Sequence, residues 1–211
     1  MSAETVKAIF REVYDVIKQR EDELGKLDAV AGDGDHGTGM VRGLKAARSS
    51  VDGAETDILG TLISDAGAAF SDAAGGSSGA LVGIFIITVG NKFPAEVTTL
   101  GVAEAMRLGL ERMKKLGKAE ACQKTMLDTL QPFVDALERS PNKPLAEAWL
   151  AALPAAAAGM EATKTMKSQK GRAARLSDRS QGHADPGAVS MNYILGAVGR
   201  VLERSAKTST G

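Results

Sequence analysis

Apolar residues recur along most of this chain with the spacing of a helix face. Val6, Ile9, Phe10, Val13 and Ile17 form the first stripe, with Ser2 placed to cap it, because residues three and four apart stack on one side of a helix. A second stripe, Val41, Leu44, Ala47 and Val51, predicts a helix from about Thr38 to Asp52–Gly53; a third, Leu59, Leu62, Ile63, Ala66 and Phe70, predicts one starting near Thr56. The run from Ala80 to Val89 is apolar throughout and has the propensity of a buried strand. A lone strand among helices would lack a pairing partner, so a central helix is expected.

The pattern then resumes. Val102, Ala105 or Met106, Gly109, Met113 and Leu116 predict a fifth helix stopped by Gly117; Met126, Leu130, Phe133, Val134 and Leu137 predict a sixth, starting near Thr125 and bent or interrupted at Pro132. The seventh should run from Pro144 through Leu145, Ala148, Trp149 and Leu153 to Lys170, kinked at Pro154 and stopped by Gly171. Pro186 opens the eighth, with Val189, Ile194, Ala197, Val198, Val201 and Leu202 inward, and the tail from Lys207 should fray. Eight helices with short links, no internal repeat and no domain boundary predict a single all-α domain over residues 1–211.

Composition sharpens this picture in two ways. Aromatic residues are only 4% of the chain against 44% hydrophobic overall, so alanine and leucine must fill the core and the helices should pack closely, with the methionines and Trp149 as core filler. Lys plus Arg equals Asp plus Glu at 26 each, so no net field would attract nucleic acid or an anionic membrane. Cys122 is the single cysteine, which rules out an intrachain disulfide and reads as a small buried hydrophobe; the N-terminus lacks the basic and apolar regions of a signal peptide. A cytoplasmic protein with no membrane segment is expected, since the longest apolar run is about half the length that spans a bilayer.

Chemistry concentrates in Leu27-Asp28-Ala29-Val30-Ala31-Gly32-Asp33-Gly34-Asp35-His36-Gly37-Thr38-Gly39-Met40, where Lys26 and Arg42 are the nearest cationic residues in sequence to three aspartates. Like charges ~6 Å apart repel by ~3 kcal/mol at an effective dielectric of ~20, so gathering them calls for a cation. The loop satisfies G-x-G-x-x-G, but its aspartates would repel the phosphate that this fingerprint binds; an EF-hand fails because Leu44 and Arg48 fall near the place of the distal Glu. From the loop alone, a magnesium site and an acidic solvated turn both stand. The turn Gly75-Gly76-Ser77-Ser78-Gly79 reads either as a phosphate-binding helix start or as a plain interhelical turn. Arg172, Arg175 and Arg179, ahead of Asp185-Pro186, form either a solvated loop or an arginine clamp on a polyphosphate.

Taken in order, the acidic loop, the Gly75–Gly79 turn, Gly117-Lys118-Ala119-Glu120 with Lys124-Thr125-Met126, and Gly171-Arg172 through Gly182-His183-Ala184-Asp185-Pro186-Gly187 resemble the nucleotide-binding L subunit of dihydroxyacetone kinases, from about Leu27 to Met191. The resemblance implies a barrel of eight antiparallel helices with the nucleotide site at one end. It implies that Asp28, Asp33 and Asp35 hold two Mg2+ ions, and that His36, Gly37, Thr38, Gly39, Ser77, Ser78, Gly117, Met126, Arg172, Asp185, Pro186 and Gly187 surround ADP or ATP. His36 would orient phosphate oxygens or serve as a hydrogen-bonded brace, and His183 would help to close its loop. Some members carry asparagine at the position of Gly39, so no side-chain contact is implied there. Substrate in this family is held on a separate K-type subunit, which makes this chain half of a phosphotransferase. A phosphoprotein M subunit of the phosphotransferase system would rephosphorylate retained ADP; the alternative is an ATP-dependent triose or tetrulose kinase subunit. A nucleotide-sensing regulatory module that contacts a transcription factor is the reading from another class, and a homodimer is compatible with each.

Overall fold

The computed structural model describes residues 1–171, 174 and 177–208, and among them there is no β-strand. Helix α1 (Ala3–Gln19) leads into α2 (Glu21–Ala29), α3 (His36–Asp52), α4 (Leu59–Ala74), α5 (Gly76–Asn91), α6 (Thr99–Gly117), α7 (Leu127–Glu138) and α8 (Leu145–Ala162). A 3-10 turn at Thr163–Thr165, the single-turn α9 (Ser177–Ser180) and the long α10 (Pro186–Thr208) complete the described chain. The eight expected helices are α1, α3 to α8 and α10. Ser2 caps α1 as anticipated, accepting a hydrogen bond from the Thr5 amide at 3.2 Å while the Thr5 hydroxyl reaches back to the cap.

Packing is cyclic. α1 lies against α3, each helix from α3 to α8 lies against the next, α8 lies against α10, and α10 returns to α1. The starts of α3, α5, α7 and α10 and the ends of α4, α6 and α8 gather at one end of this ring, so successive members run in opposite directions. The result is a closed antiparallel barrel of eight helices. Small residues permit the tight flanks: a Cβ at Gly90 of α5 would collide with the Ser64 backbone of α4. Ile17, Met40, Phe70, Leu110, Met113, Leu130 and Phe133 are almost wholly buried. Phe133 and Trp149 meet edge to face with ring centroids 4.8 Å apart, and the Trp149 indole N–H donates to the Leu195 carbonyl at 2.9 Å, joining α7, α8 and α10. Inside the ring lies an apolar cavity of about 160 Å3 lined by Phe10, Leu44, Phe85, Met106, Trp149 and Leu195 among others. None of the described helices is long and apolar enough to cross a membrane.

Several expectations require correction. α2 was not anticipated, because Leu24 is its one buried residue and so no stripe marks it. α4 begins at Leu59, three residues after Thr56, and α5 takes its first turn from the glycine-serine segment itself. Pro132 lies within an unbroken α7, and α8 ends at Ala162, eight residues short of Lys170. Leu116 is 53% exposed rather than inward, and Cys122 is exposed rather than buried; α10 runs to Thr208, and the rest of the tail expected to fray lies outside the described residues.

Candidate functional site

The end of the barrel where the helix starts gather opens into a cavity of about 610 Å3, within the ~300–1,000 Å3 usual for small-molecule sites. One side is acidic. Between α2 and α3 the chain doubles back, with the Gly32 amide donating to the Asp28 carbonyl at 2.6 Å. A Cβ at Gly32 would fall on the Asp28 side chain, so this close pass requires glycine. The turn brings one carboxylate oxygen from each of Asp28, Asp33 and Asp35 to within 4.8 Å of one another, with Asp28 half-buried and the other two exposed. Such a set of hard oxygen donors suits Mg2+ or Ca2+.

The turn from α4 to α5 forms a second side. Gly75 adopts a φ of +71° there, and Arg42 braces the turn, its Nε donating to the Ala73 carbonyl at 2.5 Å and a terminal nitrogen to Ala74. Ser77 and Ser78 lie in the first turn of α5 and line the cavity, where unpaired amides and the helix dipole favour an anion. His36 is 7% exposed. Its Nε2 lies 2.9 Å from the Ser190 hydroxyl, and its Nδ1 lies 3.4 Å from that of Ser78. Since the Ser190 hydroxyl donates to the Gly187 carbonyl at 3.0 Å, Nε2 is the donor to Ser190 and Nδ1 the acceptor from Ser78. Burial holds the His36 pKa below its ordinary value against the pull of Asp28. His36 is therefore neutral near pH 7 and ties the starts of α3, α5 and α10 together.

Apolar residues and the start of α10 form the remaining side. Leu81, Met113, Gly117 and Met126 line it beside Asp185, Pro186 and Gly187. Asp185 caps α10 by accepting from the Ala188 amide at 2.8 Å. Burial pushes its pKa up to about 7; the Ala188 amide opposes this, Asp128 adds to it, and Lys124 and the Gly187 amide pull it down.

Asp28, Asp33, Asp35, His36, Gly39, Ser77, Ser78, Gly117, Met126, Asp185, Pro186 and Gly187 thus line one cavity. Gly37 packs against the Glu21 carbonyl of α2, and Thr38 is exposed away from the lining. Arg172 and Arg175 lie outside the described residues, while Arg179 is exposed on α9. His183 is exposed and contributes its carbonyl. Arg42 and Lys124 also line the cavity, although the sequence assigns neither a role in the site. Arg42 falls two helical turns beyond Asp35 and so on its face; for Lys124 the signal is its place in the Lys124-Thr125-Met126 motif ahead of a helix.

Residues 30–200 match the family model described as the DAK2 domain. Over 99% of its length the chain is 37% identical to an L-erythrulose kinase of Pectobacterium atrosepticum, of which it spans 36%. It is 33% identical, over 86% of its length, to the ADP-binding subunit of PEP-dependent dihydroxyacetone kinase 1 of Listeria innocua, and spans 88% of that subunit. The crystal structure of the dihydroxyacetone kinase from C. freundii in complex with AMP-PNP and Mg2+ matches with a TM-score of 0.75 and 30% identity, over 92% of this chain and 33% of that one.

Proposed function

The chain belongs to the DAK2-domain family, and on that premise we propose that it is the nucleotide-binding part of a short-ketose kinase. It binds ADP or ATP in the cavity at the end of the barrel, holds two Mg2+ ions through Asp28, Asp33 and Asp35, and passes the γ-phosphate to dihydroxyacetone or a tetrulose held on a separate K-type partner. The observation that carries this reading is the convergence of three carboxylates within 4.8 Å of one another on the cavity that four helix starts share. When bound, Mg2+ would supply positive charge between the carboxylates of Asp28, Asp33 and Asp35 and the polyphosphate.

The chain's own residues supply position. Amides at the start of α5, beside Ser77 and Ser78, face phosphate oxygens, and the Asp185–Gly187 start of α10 frames the same space. Leu81, Met113 and Met126 offer an apolar surface to the base. His36, with both ring nitrogens engaged, acts as the brace between these helix starts rather than as a base. Phosphoryl transfer tolerates this, because most of its catalysis comes from alignment and charge neutralisation. Arg172 is assigned to the nucleotide on the sequence resemblance alone.

Two phosphate sources fit the site. Enclosure by several helix ends favours ADP retained through turnover and rephosphorylated in place by a phosphoprotein, the chemistry suggested by the relative named as an ADP-binding subunit. The erythrulose kinases among the relatives favour a tetrulose, and with it the alternative in which free ATP is the donor. Mixing the chain with a K-type partner, dihydroxyacetone or erythrulose, and ATP, without phosphotransferase proteins, separates them. Retained ADP gives a burst no larger than the ATP already bound, and sustained product formation overturns that preference. Failure to bind any nucleotide in the presence of Mg2+ would sink both.

A further inference from the structure

Lys124 is only 4% exposed and holds its backbone in the left-handed region, with a φ of +60°. Such a conformation is costly in a residue other than glycine and persists only where the surroundings impose it. A Lys-Thr pair at the approach to a helix suggests the lysine of a phosphate loop, which contacts phosphate directly. Here the ammonium is occupied elsewhere. Its Nζ donates to the carbonyls of Thr163 at 2.6 Å, Met166 at 3.2 Å and His183 at 2.6 Å. An ammonium has three N–H donors, so none remains for a ligand.

Thr163 and Met166 lie at the end of α8 and its 3-10 turn, where the negative end of the helix dipole attracts a cation; the Thr163 carbonyl also accepts from the Met166 amide at 3.2 Å. His183 lies just ahead of α10. Ser168, Lys170, Gly171 and Ser180, which fall between these anchors in sequence, line the cavity. Hydrogen bonds from the Gln169 amide to the Gln123 carbonyl (3.3 Å), from the Gly182 amide to Lys164 (2.8 Å) and from the Asp185 amide to the Thr163 hydroxyl (3.0 Å) run beside the ammonium. We infer that Lys124 is a positioning residue: its ammonium clasps the end of α8 to the start of α10 and so holds Ser168, Lys170, Gly171 and Ser180 against the cavity, which slows escape of a bound nucleotide. The inference rests on the nucleotide-site reading for its functional consequence and on the three carbonyl contacts for its mechanism.

The test compares wild type with Lys124→Met, which keeps an unbranched side chain and removes the charge. Dissociation of Mg-ADP should become about 10- to 100-fold faster, the range expected when hydrogen bonds from a charged donor are lost. Hydrogen exchange should accelerate at the Gln169, Gly182 and Asp185 amides and stay unchanged in α1. AMP and ADP should lose affinity by the same factor; a loss that grows with phosphate number would make Lys124 a phosphate ligand and overturn the clasp. In a Cys122→Ser background, Lys124→Cys alkylated with 2-bromoethylamine should recover slow dissociation, whereas alkylation with 1-bromopropane, which gives the same shape without charge, should not. Equal recovery by both reagents, unchanged exchange in Lys124→Met, or global loss of helix content in Lys124→Met and Lys124→Ala alike would each refute the clasp. If wild type binds no nucleotide, the proposed function fails, and the exchange measurement still decides the clasp.

Discussion

Asp28, Asp33 and Asp35 come from one turn of eight residues, whereas Lys124 draws together carbonyls that lie 39 to 59 positions away in the chain. Both arrangements bring charge to the mouth of an apolar barrel. The acidic turn concentrates like charge on short local connections and leaves it half-buried or exposed, a form that suits an exchangeable cation. The lysine side buries one charge completely in carbonyls, a form that suits a fixed joint. On the proposed function a bound cation joins the first side, whereas the second is held by contacts within the chain.

Breaking the acidic side should have the largest effect. Asp33→Asn and Asp35→Asn each remove a donor from the cluster, and Mg-dependent nucleotide binding should weaken by at least about 100-fold in each, with circular dichroism unchanged because the turn sits outside the core. Stability should hold or rise as like-charge repulsion falls. Wild-type affinity in both variants would mean that the carboxylates hold no metal. Lys124→Met should come second, acting on dissociation rate and on exchange at the cavity mouth rather than on dependence on Mg2+; if it mimicked the aspartate variants, the contrast between the two sides would collapse.

A third effect, on stability rather than on nucleotide binding, sharpens the comparison through pH. Asp185, beside Lys124 and Asp128, has a folded pKa of about 7 against an ordinary 3.8. Between those values the folded chain keeps a proton that the unfolded chain has released, so the group's contribution to stability falls as pH rises through the window and its cost is fully present above about pH 7. Asp185→Asn removes that slope. Urea melts from about pH 4.5 to pH 7 should show the variant gaining on wild type with rising pH, by up to about 1.4 kcal/mol per pH unit. Parallel curves would show that Asp185 titrates normally.

The same contrast explains what could be read in the sequence. Helix stripes such as Val6–Ile17 and Leu59–Phe70 are local patterns, and they mark the ring of long helices; the aspartates lie within eight residues, and the structure brings them together on the cavity. α2 escaped because Leu24 alone is buried in it, and a single buried residue has no period. The end of α8 escaped for a different reason. Residues 163–170 hold no helix breaker before Gly171, and the carbonyls there are capped instead by a lysine from the approach to α7. Lys124 and the early end of α8 are thus one feature seen from two places. Leu116 was assigned inward on helical spacing, but the last turn of α6 has reached the cavity mouth, where the core no longer covers it.

The central claim is that this chain holds a nucleotide through a divalent cation on Asp28, Asp33 and Asp35. Calorimetric titration of the nucleotide-free chain with ADP, once with Mg2+ and once with EDTA, tests it most directly. The account predicts saturable binding of ADP with Mg2+ and a loss of at least about 100-fold in affinity under EDTA, since three carboxylates without a cation repel the diphosphate. Equal affinity in the two titrations, or no binding in either, would contradict it.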